Sequence, residues 1–326
     1  MSLNLAAIDA SRLLFAVPLR PLQGQRFQPT GFPNLGAATY QTPSGTSLLV
    51  ESVQSMANRL EATIWDSATD GPIGAALGLS HVTVRRKGKF LTDTMLESHR
   101  INSPYLLEGK DKKFFKRLQE EVNVEGAIDR KRLAGVLLKY DVGSLLHGVF
   151  LAKKELAGGR MRVARALGAF IEADDVRVAA SGGVKNDHVN PSGSAKEGFG
   201  NVPFARDEFT AAKITLYANF DLGQIRGYQL GEEVSQLLFV LGLYKLRALL
   251  DGDLRLRTAC DLEPISREVT ATNIAFNLPT FSVLAAALPA AIAACAAKME
   301  NVTVVFDDVL KESKQTEGAE DEQGEE

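Results

Sequence analysis

The sequence predicts an α+β fold in which helices cover one face of an antiparallel sheet. Three observations predict it. A compact apolar run stands near the start (LLFAVPL, residues 13–19), strand-like and helix-like periodicities interleave from there to the end, and no internal repeat or heptad pattern competes with a layered core. At 326 residues, 45% hydrophobic and 24% charged, the chain has apolar material for one large domain or two modest ones.

The run at 13–19 reads as a central strand, and the Pro, Gly and Gln residues over 21–33 force a loop after it. Leu49, Val53, Met56, Leu60 and Ile64 recur at helical spacing, which predicts a helix over 47–64 with its apolar stripe against the sheet. HVTVRRKGKF, two short alternating runs around Lys87 and Gly88, predicts a hairpin with basic exposed positions. Residues 111–121 and 129–139 read as charged amphipathic helices. Residues 181–203 hold five glycines and two prolines without apolar periodicity, which predicts a long irregular insertion. Strands follow at 210–220 and 254–262, helices at 232–250 and 281–298, and a closing strand at 302–306. The helix near 281–297 is mostly alanine, carries Pro289 and falls short of the roughly 20 strongly apolar residues a bilayer needs. It reads as a buried or interface helix, with no membrane partner.

The formal charge of -3 hides two unlike parts. Residues 311–326 hold seven acids and two bases, so the rest of the chain is net positive, and residues 81–140 carry fourteen Lys and Arg against eight Asp and Glu. That basic bias suits a polyanion or an ordinary solvated surface equally. The acidic tail, 311–326, reads as disordered beyond a single domain over 1–310. The first residues lack a basic n-region, and Asp9, Ser11 and Arg12 break the apolar stretch, so a cytoplasmic location is expected. Cys260 and Cys295 form no metal or redox spacing, which suits a reducing compartment.

No P-loop, GxGxxG, HExxH or GxSxG motif is present, and His81, His99, His147 and His188 are scattered, so neither a metal nor another cofactor is implied. Four stretches concentrate groups that can hold a flexible polyanion. Residues 26–36 (RFQPTGFPNLG) offer Arg26, Gln28 and Thr30 beside Phe27 and Phe32, or form a plain surface turn with the aromatics in the core. Opposite the apolar stripe of the first helix lie Ser55, Asn58 and Arg59, with Gln54 on the flank, as phosphate donors or as a solvated face that includes Glu51 and Glu61. SHRINSPY presents His99 and Arg100, although His99 could equally be structural. The 181–203 insertion adds Lys185, Asn186, His188 and Asn190, in a loop that orders on RNA or stays solvated.

QPTGFPNLG, LLVESVQSMANRLE, SHRINSPY, GGVKNDHVNPSG and GFGNVPFARDEFT, in this order, resemble the Csb-one family, the Cas-seven group backbone protein of type I-U (I-G) CRISPR systems. The resemblance implies a RAMP fold: a ferredoxin-like, RNA-recognition-motif-like palm with inserted elements, finger-like over about 66–140 and thumb-like or RNA-contacting over about 181–205. It implies a non-catalytic subunit of Cascade that grips the guide crRNA by its sugar-phosphate backbone. Gln54, Ser55 and Arg59 match the family's polar patch for that contact. Implied partners are the guide, target DNA paired through it, neighbouring copies in a head-to-tail filament, a large subunit, a fused cap and processing subunit, and a separate helicase-nuclease. Sequence-independent contacts fit that role, since pairing reads the target. The alternatives are a metal-dependent endoribonuclease of the same superfamily, with Asp93 or Asp141 as candidates, and an assembly protein that binds no RNA.

Overall fold

The computed structural model describes residues 3–32, 36–122, 127–197, 199–252 and 254–308. Strand β1 (Arg12–Pro21) turns Leu13, Phe15, Val17 and Leu19 inward because successive strand residues face opposite sides of a sheet. Strands β2 (Thr39–Thr42) and β3 (Gly45–Glu51) form a hairpin, and helix α1 (Val53–Ala62) follows. Ser52 caps that helix by accepting the Ser55 N–H, so the helix expected over 47–64 is shorter and its first part is β3. Met56, Leu60 and Ile64 are buried as the stripe requires, while Leu49 lies half-buried on the strand and Val53 is exposed.

Strands β4 (Val82–Arg86) and β5 (Lys89–Asp93) make the expected hairpin, with Lys87 and Gly88 both at positive φ, as a two-residue turn of this kind demands. Helices α2 (Lys113–Val122) and α3 (Arg130–Tyr140) match their expected places within two residues. Strands β6 (Val149–Leu151) and β7 (Met161–Val163) pair, and β8 (Leu167–Asp174) enters the main sheet. The insertion at 181–203 is only partly irregular. Its ends belong to β9 (Arg177–Lys185) and β10 (Val202–Thr210), nine paired positions that form a two-stranded ribbon. Alternation there is masked by glycine and alanine, which carry no burial signal.

Strand β11 (Lys213–Asp221) and helix α4 (Glu232–Asp251) stand where expected. The single strand expected at 254–262 is a hairpin, β12 (Leu254–Arg257) and β13 (Cys260–Pro264), turned at Ala259 with φ 57°. Helix α5 (Phe281–Cys295) precedes β14 (Val302–Val305). That last strand does not close the main sheet: it pairs parallel to β4 in a separate three-stranded sheet, β14-β4-β5. The acidic tail lies outside the described residues.

The main sheet runs β12-β13-β1-β11-β8-β3-β2, and every neighbouring pair is antiparallel. Strand β1, helix α1, strands β8 and β11, helix α4 and strand β13 succeed one another in a β-α-β-β-α-β order. Helix α4 buries nearly its whole circumference, with Phe239 stacked on Phe220 of β11 at 6.2 Å. Gly242 permits that approach, since a Cβ there would collide with the Phe220 ring. Helix α5 packs Leu284, Leu288, Ile292 and Cys295 into the core at every fourth or third position and exposes alanines outward. Contrary to the shortfall expected from the sequence, residues Phe281–Lys298 are long and apolar enough to cross a membrane by length and composition alone.

Candidate nucleic-acid interface

A buried ionic cluster fastens α1, the turn at 100, the short helix Gly143–His147 and helix α4 to one another. Arg100 is 3% exposed, and its guanidinium donates to both oxygens of Glu61 at 2.6 Å and to the Gly148 carbonyl at 3.1 Å. Asp141 accepts from the Ile101 N–H at 3.1 Å and from the Ser144 hydroxyl at 2.7 Å. Burial pushes the carboxyls of Glu61 and Asp141 up, and the Arg100 charge opposes this in both. Lys245 of α4 sits 3.0 Å from Nε2 of His147. An ammonium offers only donors, so this imidazole nitrogen accepts and the neutral ring carries its proton on Nδ1. Burial lowers Lys245 to about 8. Burial also holds His147 well below its usual range, with the charges of Lys245, Arg100 and Arg165 adding to the effect.

Above this floor opens a cleft of about 1350 Å³. Its walls come from the start of α1, the 98–102 turn, the start of α3, strands β6 and β7, and the helix Leu222–Gly227. Five arginines line it: Arg100, held by Glu61, and Arg130, Arg160, Arg162 and Arg165. Strand alternation on β7 buries Met161 and turns Arg162 outward. Gln54 holds the Arg165 guanidinium at the rim, and Gln224 Nε2 donates to the Ala164 carbonyl at 2.7 Å, fixing the wall beneath it. Burial, and after it the nearby Arg100 charge, hold the Arg165 guanidinium below its ordinary value, with Glu61 opposing. Among the described residues no acidic side chain lines the cleft. Cations concentrated in a concave, carboxylate-free wall focus field toward an anion, and the arginine fork suits phosphate oxygens in particular.

The structure divides the sequence-derived candidates among four places. Gln54, His99 and Arg100 line the cleft, but only Gln54 and His99 are exposed there. Arg100 is spent on Glu61, which corrects its assignment as an RNA contact. Of the polar face of α1, Asn58 is exposed and bonds Gln54, whereas Ser55 bonds Glu51. Arg59 also pairs with Glu51 at 3.1 Å and donates to the carbonyls of Arg255 and Leu256 on β12, so it ties the helix to the sheet rather than standing free. Glu51 and Glu61, read as members of a solvated face, are 2% and 4% exposed. Arg26, Gln28 and Thr30 lie in a segment whose backbone bonds Phe209, Ala259 and Val50, with Phe27 fully buried. There Arg26 pairs with Glu208 at 3.5 Å. Lys185, Asn186, His188 and Asn190 are exposed at the end of the β9–β10 ribbon and in the loop joining its strands.

The ribbon has two unlike faces. Residues opposite each other in an antiparallel pair share a face, so Val178, Ala180, Gly182 and Val184 lie with Phe209, Asp207, Ala205 and Pro203. The other face carries Arg177, Lys185, Phe204 and Arg206, the last bonded to the buried Glu208. Val178, Val184 and Phe204 are each at least half exposed.

The two aspartates considered for nuclease chemistry have fold roles. Asp93 is fully buried and bonded by His81, Thr83 and the Met95 N–H, and Asp141 is held as described above. Among the described residues no group of three or more His, Cys, Asp or Glu is placed to hold a metal ion.

Sequence reasoning missed the arginines of the cleft. The signal was the run RMRVAR, in which Arg160, Arg162 and Arg165 fall within six residues; Arg130 joins them only through the fold.

No curated protein matches the sequence. A solved structure described as "CRISPR RNA-guided surveillance complex, pre-nicking" aligns over 81% of this chain and 76% of its own, at 14% identity and a TM-score of 0.40. The family model described as CRISPR-associated protein GSU0053 matches residues 13–178, from the first strand of the main sheet through the arginine-bearing strand β7 to the base of the ribbon. The chain belongs to the CRISPR-associated GSU0053 family.

Proposed function

We propose that this chain is a repeated, non-catalytic backbone subunit of a Cascade complex, of type I-U (I-G), and that it grips the guide RNA by its sugar-phosphate backbone. The observation that carries this reading is the cleft lined by Arg130, Arg160, Arg162 and Arg165 with no described carboxylate among its lining side chains. Guanidinium groups bind phosphate whatever the base, which is what a subunit must do if any spacer is to fit. The β-α-β-β-α-β core with strand order β13-β1-β11-β8 supports reading it as a ferredoxin-like palm. The segment bearing β4, β5, α2 and α3 then corresponds to the finger and the β9–β10 ribbon to the thumb. Neighbouring copies, a large subunit, a cap and processing subunit, a recruited helicase-nuclease and guide-paired target DNA complete the assembly, in the cytoplasm.

The test is RNA retention on filters at matched salt, with RNAs of unrelated sequence. The wild-type chain is expected to bind them alike, with affinity falling steeply as salt rises. Arg130→Ala with Arg162→Ala is expected to weaken binding at least tenfold and to flatten the salt dependence by roughly 0.7 for each phosphate no longer neutralised. Unchanged affinity and slope in a folded double variant would overturn the assignment of the cleft. RNA recovered in regular fragments would overturn the non-catalytic role.

A further inference from the structure

The chain carries its own polyanion. Residues 312–326 include seven carboxylates, and from Glu317 onward six acids stand without a single Lys or Arg. The segment starts from a tethered point. The Phe306 N–H donates to the Arg85 carbonyl at 2.8 Å and its ring meets Tyr105 edge-on at 5.3 Å. Asp307 accepts from the Lys87 N–H at 2.7 Å, and Asp308 accepts from the Lys110 N–H at 2.7 Å. A short run of contacts connects the tether to the cleft. Glu108, two residues from Lys110, pairs with Lys153, and the adjoining Ala152 lines the cleft, its N–H donating to Asn102, another lining residue, at 3.3 Å. The eighteen residues that follow Asp308 can span up to about 60 Å. Arg130, Arg160, Arg162 and Arg165 line the cleft beside the Glu61-bound Arg100, with no acid among its described lining residues, so the charges are complementary.

We propose that the acidic C-terminal segment, residues 311–326, occupies the arginine cleft of its own chain when guide is absent, and that RNA must displace it. The inference rests on the cleft being the polyanion site, though not on the polyanion being a guide. A tethered competitor works through effective concentration, which is about millimolar for a short connection. If the free segment binds with a dissociation constant of a few tenths of a millimolar, it weakens RNA binding by roughly three- to tenfold at low salt. Screening erases the effect at high salt, because the Debye length shrinks to about 3 Å at 1 M. The device leaves authentic guide, which makes many phosphate contacts, in command, and rejects short or weakly held nucleic acid.

The experiment uses the full chain with its tail neutralised: Glu317→Gln, Glu320→Gln, Asp321→Asn, Glu322→Gln, Glu325→Gln and Glu326→Gln. Two quantities are read, RNA affinity and the binding of a fluorescent peptide of residues 311–326 added in trans, each with and without Arg130→Glu and Arg162→Glu. Melting temperature confirms that every variant is folded. The expected result is a three- to tenfold tighter RNA affinity for the neutral-tail chain at low salt, vanishing near 1 M. The peptide is expected to bind that chain, to be displaced by RNA and to be lost with the glutamate substitutions. Peptide binding that survives those substitutions would place the segment elsewhere, on the lysines of α2 for instance, and overturn the proposal. RNA affinity indifferent to tail charge, but abolished by Arg130→Glu and Arg162→Glu, would also overturn it while leaving the guide-binding reading standing. Peptide binding lost with those substitutions while RNA binding persists would support the docking and overturn the guide-binding role of the cleft.

Discussion

Glu61 and Arg100 are held out of water side by side, and neither is tolerable there alone. Replacing Arg100 by Met leaves a buried carboxylate without its partner, which is expected to cost about 3–5 kcal/mol. Glu61→Leu combined with Arg100→Met is expected to recover most of that loss, since a packed apolar pair can match a buried ion pair. Urea unfolding of the two single variants and the double variant measures the difference. Lys245 adds a pH signature. Its folded pKa, about 8, lies below the ordinary lysine value of 10.5, so between these limits the unfolded chain holds more protons than the folded one. Stability therefore rises with pH across that window, by on the order of 2–3 kcal/mol. His147, neutral when folded, acts in the same sense at lower pH and withdraws stability below about 6.5. Chemical unfolding at pH 7, 8, 9 and 10 is expected to show the upper rise in the wild type and a flat response in Lys245→Met. The fates of Arg59 and Arg100 were not legible in the sequence, because their partners, Leu256 on β12 and Glu61 on α1, lie 197 and 39 residues away along the chain.

At the scale of elements, helix α1 and the contact between α4 and β11 carry the clearest consequences. Leu60→Ala removes a fully buried side chain from the α1 stripe and is expected to cost about 2–5 kcal/mol. Gly242→Ala forces a methyl against Phe220 and is expected to destabilise by about 1–3 kcal/mol through overpacking. Melting temperatures of the two variants, together with near-ultraviolet circular dichroism of Gly242→Ala to follow the Phe220 and Phe239 stack, check both. Helices α1, α2 and α3 were legible because one-sided burial imposes its period on the residues, whereas β1, α4 and α5 were legible as long apolar runs. The stretch before α1 misleads since Leu49 keeps the helical spacing by coincidence, while the Ser52 cap actually starts the helix. The ribbon escapes notice because Gly182, Gly183, Ala179 and Ala180 leave no alternation to see.

For the whole molecule, the layered α+β architecture followed from interleaved periodicities, whereas the strand order did not, since pairing between β1 and β11 joins residues some two hundred positions apart. The cleft was hidden for the same reason: its lining runs from Gln54 to Tyr228, and no window of sequence contains it. The two-faced ribbon has a practical consequence for how such a protein must be supplied. A projecting arm with Val178, Val184 and Phe204 open to solvent on its two faces is a site where unassembled copies adhere to one another and where proteases find accessible backbone. Under the proposed backbone role, soluble yield from a cell is expected to rise more with co-production of whatever covers the arm than with the strength of the promoter.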